Sequence, residues 1–147
     1  AFAKIYEDES GKLIDLILRN NACEIACYQI ISDEKNLIKE TIKRICDEKN
    51  PQLIITTGGT GISSRDVTPE AIKELTPNII PGIGELLRIN GAKFTKHSWS
   101  SRSLAAIYNK TLIITLPGSP KAVQECLNCL LPILPHLIQT ISDKKHD

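Results

Sequence analysis

The fold class predicted from the sequence is α/β: a three-layer α/β/α sandwich around a mainly parallel central sheet. Three observations predict it. Two short apolar segments rich in β-branched residues, Leu53–Thr57 and Thr111–Leu116, have the length of buried strands. Each runs into a glycine-containing loop and then into a helix start marked by a proline, Pro69 and Pro120. The segments between them carry apolar residues at helical spacing. Strands alternating with helices connect by right-handed crossovers. The crossovers place helices on both sheet faces and gather the C-terminal ends of parallel strands at one edge, where open α/β folds bind ligands.

In chain order, residues 1–9 form a polar-tinged lead-in. Ser10 is placed to cap a helix through about Arg19, with Leu13, Ile14, Ile17 and Leu18 on one side. Asn20-Asn21 breaks it, and the loose alternation of residues 22–31 predicts a strand near a sheet edge. Ser32-Asp33 reads as a helix start. The helix that follows carries Leu37, Ile38, Thr41, Ile42, Ile45 and Cys46 on one face and ends at Asn50-Pro51. After Leu53–Thr57 and its loop, Thr68 is positioned as an N-cap with Pro69 at the first helical position, for a short helix to about Leu75. A further helix opens at Pro81-Gly82 and ends at Asn90-Gly91, and residues 93–99 read equally as an extended segment or a loop. Past Thr111–Leu116, Ser119 caps a helix with Val123, Cys126, Leu127, Leu130 and Leu131 in register. Pro132 and Pro135 divide it from a terminal helix, and residues 142–147 form a charged tail expected to fray.

The chain of 147 residues suits one domain, 1–147, with a single core. A net charge of +1 gives no electrostatic case for nucleic acid or an anionic membrane surface. The longest apolar runs, such as residues 130–134, are far too short to span a bilayer. The five cysteines, an odd number scattered through apparent core segments, point to a reduced, cytoplasmic setting. Cys126-x-x-Cys129 lies in a helix without a second ligand pair, so it reads as a core thiol pair rather than a zinc site, as do Cys23 and Cys27.

The candidate chemistry centres on Thr57-Gly58-Gly59-Thr60-Gly61. Glycine allows backbone N–H groups to cluster toward an anion. The string is neither a Walker A loop nor a dinucleotide fingerprint. Asp66 is either a carboxylate for a Mg²⁺-bound ligand or a helix-start acid favoured by the macrodipole. Asp33 is either an N-cap or an acid at the same sheet edge. Ser101-Arg102-Ser103 is either a phosphate-binding cluster, with the guanidinium as a fork, or a solvated loop.

The string Thr-Thr-Gly-Gly-Thr-Gly, then four residues, then Asp-Val-Thr-Pro-Glu-Ala over Thr56–Ala71 resembles the signature of the molybdopterin adenylyltransferases, a family that includes the gephyrin G domain, which it resembles most. Residues 6–11, Ser101-Arg102 and Leu112–Pro120 resemble it in register, as do Ser32-Asp33-Glu34 and the Pro81-Gly82 helix. The resemblance implies transfer of AMP from Mg-ATP to the terminal phosphate of molybdopterin, in a homotrimer, with a molybdenum-insertase domain fused or separate. It implies Asp33 and Asp66 as catalytic carboxylates, with Asp66 on Mg²⁺. It implies Thr57, Gly58, Gly59, Thr60, Gly61, Ser101 and Arg102 facing the pterin and its phosphate, and Pro117, Gly118 and Ser119 as a nucleotide pocket wall. A gephyrin-like scaffold that keeps pterin binding is the alternative. In the family a first strand ends in a Val-Ser-Asp-like turn. This sequence starts just after that point, and the expectation is that the strand lies outside this sequence rather than that the sheet lacks a central strand. Ile107-Tyr108-Asn109 and Trp99-Ser100 depart from the family's Ile-Arg-Gly and its small or aliphatic pair.

Overall fold

The structure, a computed structural model, describes residues 8–142. Helix α1 (Glu9–Asn20) is capped by Asp8, whose carboxylate accepts from Gly11 N at 3.0 Å. Ser10, the expected cap, instead donates its hydroxyl to Gly118 O at 2.5 Å, tying α1 to a loop more than a hundred residues away. Helix α2 (Lys35–Lys49) begins after Glu34, two residues later than Ser32-Asp33 suggests, and no side chain caps it. The alternative of Asp33 as an N-cap is thereby removed. Strand β1 (Leu53–Thr57) leads through the glycine loop to α3 (Thr68–Leu75), then α4 (Pro81–Ala92). The ambiguous segment after α4 forms a 3₁₀ turn, Lys96–Ser100, in which Thr95 Oγ1 accepts from His97 N at 3.2 Å. Strands β2 (Ala105–Tyr108) and β3 (Thr111–Leu116) follow, then α5 (Pro120–Leu130) and α6 (Leu134–Ser142). The expected lead-in before Asp8 and the tail after Ser142 lie outside the described residues.

The sheet order is β1-β3-β2. β1 pairs parallel to β3, with Ile55 opposite Ile114, and β2 pairs antiparallel to it as a hairpin partner, with Ala106 opposite Ile113. β2 was not anticipated: its four residues are short, and the turn is made by Asn109 at φ 55°. β3 is buried along its whole length and feeds both faces. Leu112, Ile114 and Leu116 pack with Ile14, Leu87, Val123, Leu127 and Leu130 on one side. Ile113 packs with Ile38, Ile42, Ala71 and Ile72 on the other. This is the three-layer α/β/α arrangement, with period-2 alternation along one central strand assigning residues to two cores.

The predicted strand at 22–31 is corrected. The segment runs without strand pairing, because no hydrogen-bonded neighbour lies beside it among the described residues. Cys23 is consequently exposed and Cys27 half-buried, not core thiols, whereas Cys126 is buried on α5 and its thiol is pushed up to about 12 by burial. All five cysteines are free. Between this segment and β1, an edge strand among the described residues, lies an apolar groove of about 840 Å³, walled by Ile14 and Leu18 from α1 and by Ile38 and Ile42 from α2. The β1 side chains are correspondingly half-buried.

Candidate active site

The loop after β1 owes its shape to two glycines at positive φ, Gly58 at 92° and Gly59 at 72°. Gly58 N donates to Leu116 O at 2.9 Å, and Thr57 Oγ1 donates to Pro117 O at 2.7 Å. The two strand-end loops are thus stitched together, as the shared edge of β1 and β3 predicts. Thr68 is not the cap of α3. Its N–H donates to Gly59 O at 3.2 Å and its hydroxyl donates to Gly58 O at 3.2 Å, so it holds the glycine turn from beneath.

Both aspartates meet this loop. A Cβ built on Gly59 would collide with the Thr68 hydroxyl and lie 3.7 Å from Asp33 Oδ1. One built on Gly61 would lie 2.8 Å from Asp66 Oδ2. At Gly61 only glycine leaves room for the Asp66 carboxylate to approach the backbone, and at Gly59 for the Thr68 hydroxyl. Asp66 Oδ2 also accepts from Ser63 N at 3.0 Å, closing a turn within the loop ahead of α3.

The loop opens onto a cleft of about 340 Å³. Gly58, Gly59, Thr60 and Gly61 line one side with Asp66, and Ser101, Pro117 and Gly118 line the other. Eight of the residues expected at the site from the sequence are therefore brought together. His97 and Ser100, from the 3₁₀ turn, complete the cleft and were missed. The signal was present in Thr95, a cap residue two positions before His97, but the turn is too short to show a helical period.

The overall match decides the family. Residues 2–136 match the family described as "Probable molybdopterin binding domain". The chain belongs to that family. It is 43% identical over 140 residues to a molybdopterin adenylyltransferase of Helicobacter pylori strain J99, covering 93% of this chain and 79% of that one. It is 41% identical over 147 residues to gephyrin of Dictyostelium discoideum, covering 93% of this chain and 20% of that much longer protein. The crystal structure of the molybdopterin biosynthesis enzyme MoaB from Thermus thermophilus superposes with a TM-score of 0.88 at 38% identity, covering 96% of this chain and 89% of that one.

Against the family motif, four expected residues stand apart from the cleft. Asp33 lines the large groove on the other side of the glycine turn, beside Thr56 and Thr57. Thr56 Oγ1 is buried without a hydrogen-bond partner among the described residues. Thr57 is spent on Pro117 O, and the Ser119 hydroxyl accepts from Ala122 N at 3.2 Å as the cap of α5. Arg102 points away from the cleft. Its Nε donates to Gly61 O at 2.8 Å and its Nη2 to Asp66 O at 2.7 Å. Its guanidinium also clasps Glu70, with Nη1 to Oε2 at 2.5 Å and Nη2 to Oε1 at 3.2 Å. That hydrogen bond from Arg102 holds the Glu70 carboxyl below its ordinary range. A second arginine, Arg88 of α4, donates Nη1 to Ser103 O at 2.8 Å and to Ser101 O at 3.3 Å, bracing the same loop from behind.

Among the described residues no three His, Cys, Asp or Glu side chains gather as a metal cage. Of the two aspartates only Asp66 lines the cleft, and a single carboxylate fits Mg²⁺, which takes one or two carboxylates and completes its shell with phosphate oxygens and water. Among the described residues no helix is long and apolar enough to cross a membrane.

Proposed function

We propose that the chain is a molybdopterin adenylyltransferase that moves AMP from Mg-ATP to the terminal phosphate of molybdopterin. A phosphate oxygen of the pterin attacks the α-phosphorus, the bond to the bridging oxygen breaks, and pyrophosphate leaves with the electron pair. The observation that carries this reading is the pair of carboxylates converging on one glycine turn from opposite sides, Asp33 at Gly59 and Asp66 at Gly61. The nucleophile is already an anion, so no strong general base is required. Catalysis reduces to alignment and charge neutralisation. Gly58–Gly61 and Ser101 offer donors to the pterin phosphate within the cleft, and Pro117 and Gly118 form the wall beside it. Asp66, which lines the cleft, would hold Mg²⁺, which when bound neutralises phosphate charge, with Asp33 as the second catalytic carboxylate from the groove side.

The reading also includes a homotrimer, a cytoplasmic setting supported by five free cysteines, and a molybdenum-insertase domain fused or separate. The match to one fifth of the Dictyostelium gephyrin supports the fused arrangement.

The test is adenylyl transfer with molybdopterin, Mg²⁺ and α-labelled ATP, comparing the wild type with Asp66→Asn. Labelled adenylylated pterin from the wild type and at least a tenfold loss in the variant, about 1.4 kcal/mol of transition-state stabilisation, is the expected result. Equal rates remove Asp66 from catalysis. Pterin binding without transfer by well-folded protein favours the scaffold.

A further inference from the structure

We propose that Arg102 and Glu70 are positioning residues that latch the Gly61–Asp66 loop and so aim Asp66 into the cleft. The inference rests on the adenylyl-transfer reading and assigns the work of two residues within it.

The segment between β1 and α3 is ten residues long, Gly58 to Val67, and its 62–66 portion has little internal support. Its local bonds are Asp66 N to Ser63 O at 3.0 Å, Ser63 N to Asp66 Oδ2 at 3.0 Å, and Arg65 N to Ser63 Oγ at 3.3 Å. These close a small turn but do not fix it against the rest of the molecule. Ile62 is 75% exposed, so the loop is not held by burial either. The contacts that orient it come from Arg102. Its backbone N–H donates to Thr60 O at 2.7 Å, and its guanidinium reaches the carbonyls at both ends of the turn, Gly61 and Asp66. Glu70, in the first turn of α3, grips the same guanidinium through both carboxylate oxygens. A planar fork with fixed donors is what such a geometry demands, and lysine cannot supply it.

The arrangement forms a continuous chain of support. α4 holds the 101–103 loop through Arg88, Arg102 reaches from that loop to the glycine-loop carbonyls, and Glu70 anchors Arg102 to α3. With Nε and both Nη atoms engaged, the guanidinium is directed at protein rather than at a ligand. Ser101, one residue earlier, lines the cleft, and Arg102 does not.

Two variants test this on the intact chain, Glu70→Gln and Arg102→Lys. Each is assayed for steady-state adenylyl transfer and for amide hydrogen exchange over residues 60–66. Both variants are expected to lose at least tenfold in kcat, with KM for molybdopterin within threefold of wild type. Exchange should accelerate in the loop and remain unchanged in α5. A role for Arg102 as a phosphate ligand gives the opposite pattern, a raised KM in Arg102→Lys and wild-type kinetics in Glu70→Gln, and overturns the proposal. So does wild-type loop exchange in Glu70→Gln. If folded wild-type protein shows no transfer, the adenylyltransferase reading fails. The exchange arm then decides the latch alone: faster loop exchange in both variants supports it, and unchanged exchange overturns it.

Discussion

The two strand-end loops of this chain solve one problem in different ways. β3 passes to α5 through Pro117, Gly118 and Ser119, and the helix start is closed locally by the Ser119 cap ahead of Pro120, with Thr57 and Ser10 holding the two carbonyls before it from a distance. β1 passes to α3 through ten residues of which only the Ser63–Asp66 turn is closed locally. Their course depends on Thr68 beneath Gly58 and Gly59, on Leu116 and Pro117 from the neighbouring strand end, and on Arg102 from a segment about forty residues later. A short loop is stabilised by side chains that already have their final neighbours in the unfolded chain. A long one is ordered by contacts that exist only after folding, so the residues that govern the site are spread along the sequence.

The contrast can be broken most severely at Gly59. Gly59→Ala must adopt a positive φ and displace Thr68, at a cost of about 2 kcal/mol or more. Thermal denaturation should show that loss, and transfer activity should fall by more than tenfold. Thr57→Val removes the bond that joins the two loops and leaves Pro117 O short of a donor, at a cost of about 1 kcal/mol in urea unfolding, with a rise in KM. Ser119→Ala should also cost about 1 kcal/mol, but with kcat within twofold of wild type, because the hydroxyl is already engaged as a cap. A larger kinetic effect would place Ser119 on the nucleotide.

Smaller still is the stability effect of Glu70→Gln. The pair is partly exposed, with side-chain accessibilities of 34% for Arg102 and 42% for Glu70, so solvent screening keeps its contribution below about 1 kcal/mol. The sign follows from the lowered Glu70 carboxyl. The stabilisation is fully present above the ordinary carboxylate range and is lost as pH falls through the depressed folded value. The stability gap between wild type and Glu70→Gln should therefore close toward acid pH, and a gap independent of pH would remove the ion pair as its source. Smallest is Gly118→Ala: its φ is not positive, and the added methyl would meet Gly58 Cα at 3.4 Å, so a change of a few tenths of a kcal/mol is expected.

The difference between the loops also separates what could be read in advance. The β1 and β3 strands, the α2 and α5 faces and the Ser119 cap were legible because periodicity and capping are local properties. The segment 22–31 was misread because alternation permits a strand but cannot supply a neighbour to pair with. Ser10 and Thr68 look like caps in sequence, and their hydroxyls went instead to Gly118 O and Gly58 O once folding brought those carbonyls within reach. Glu70 gave no warning because its partner is distant in sequence, and His97 gave only the Thr95 cap, because a single 3₁₀ turn has no period to detect.

By itself, the sequence determined the fold class, the shared edge of the two glycine loops, the family, and eight of the residues that line the cleft. Hydrophobic period, glycine and proline placement and the Thr-Thr-Gly-Gly-Thr-Gly string are all written in adjacent positions. Only the tertiary structure decided which way each side chain turned. It set Asp33 and Asp66 on opposite sides of one glycine turn and directed the Arg102 guanidinium to carbonyls and Glu70 rather than to the cleft. The reason is physical. A guanidinium goes where acceptors are clustered, and those acceptors, on Gly61, Asp66 and Glu70, converge on Arg102 only when α3 and the 101–103 loop are packed against the same sheet.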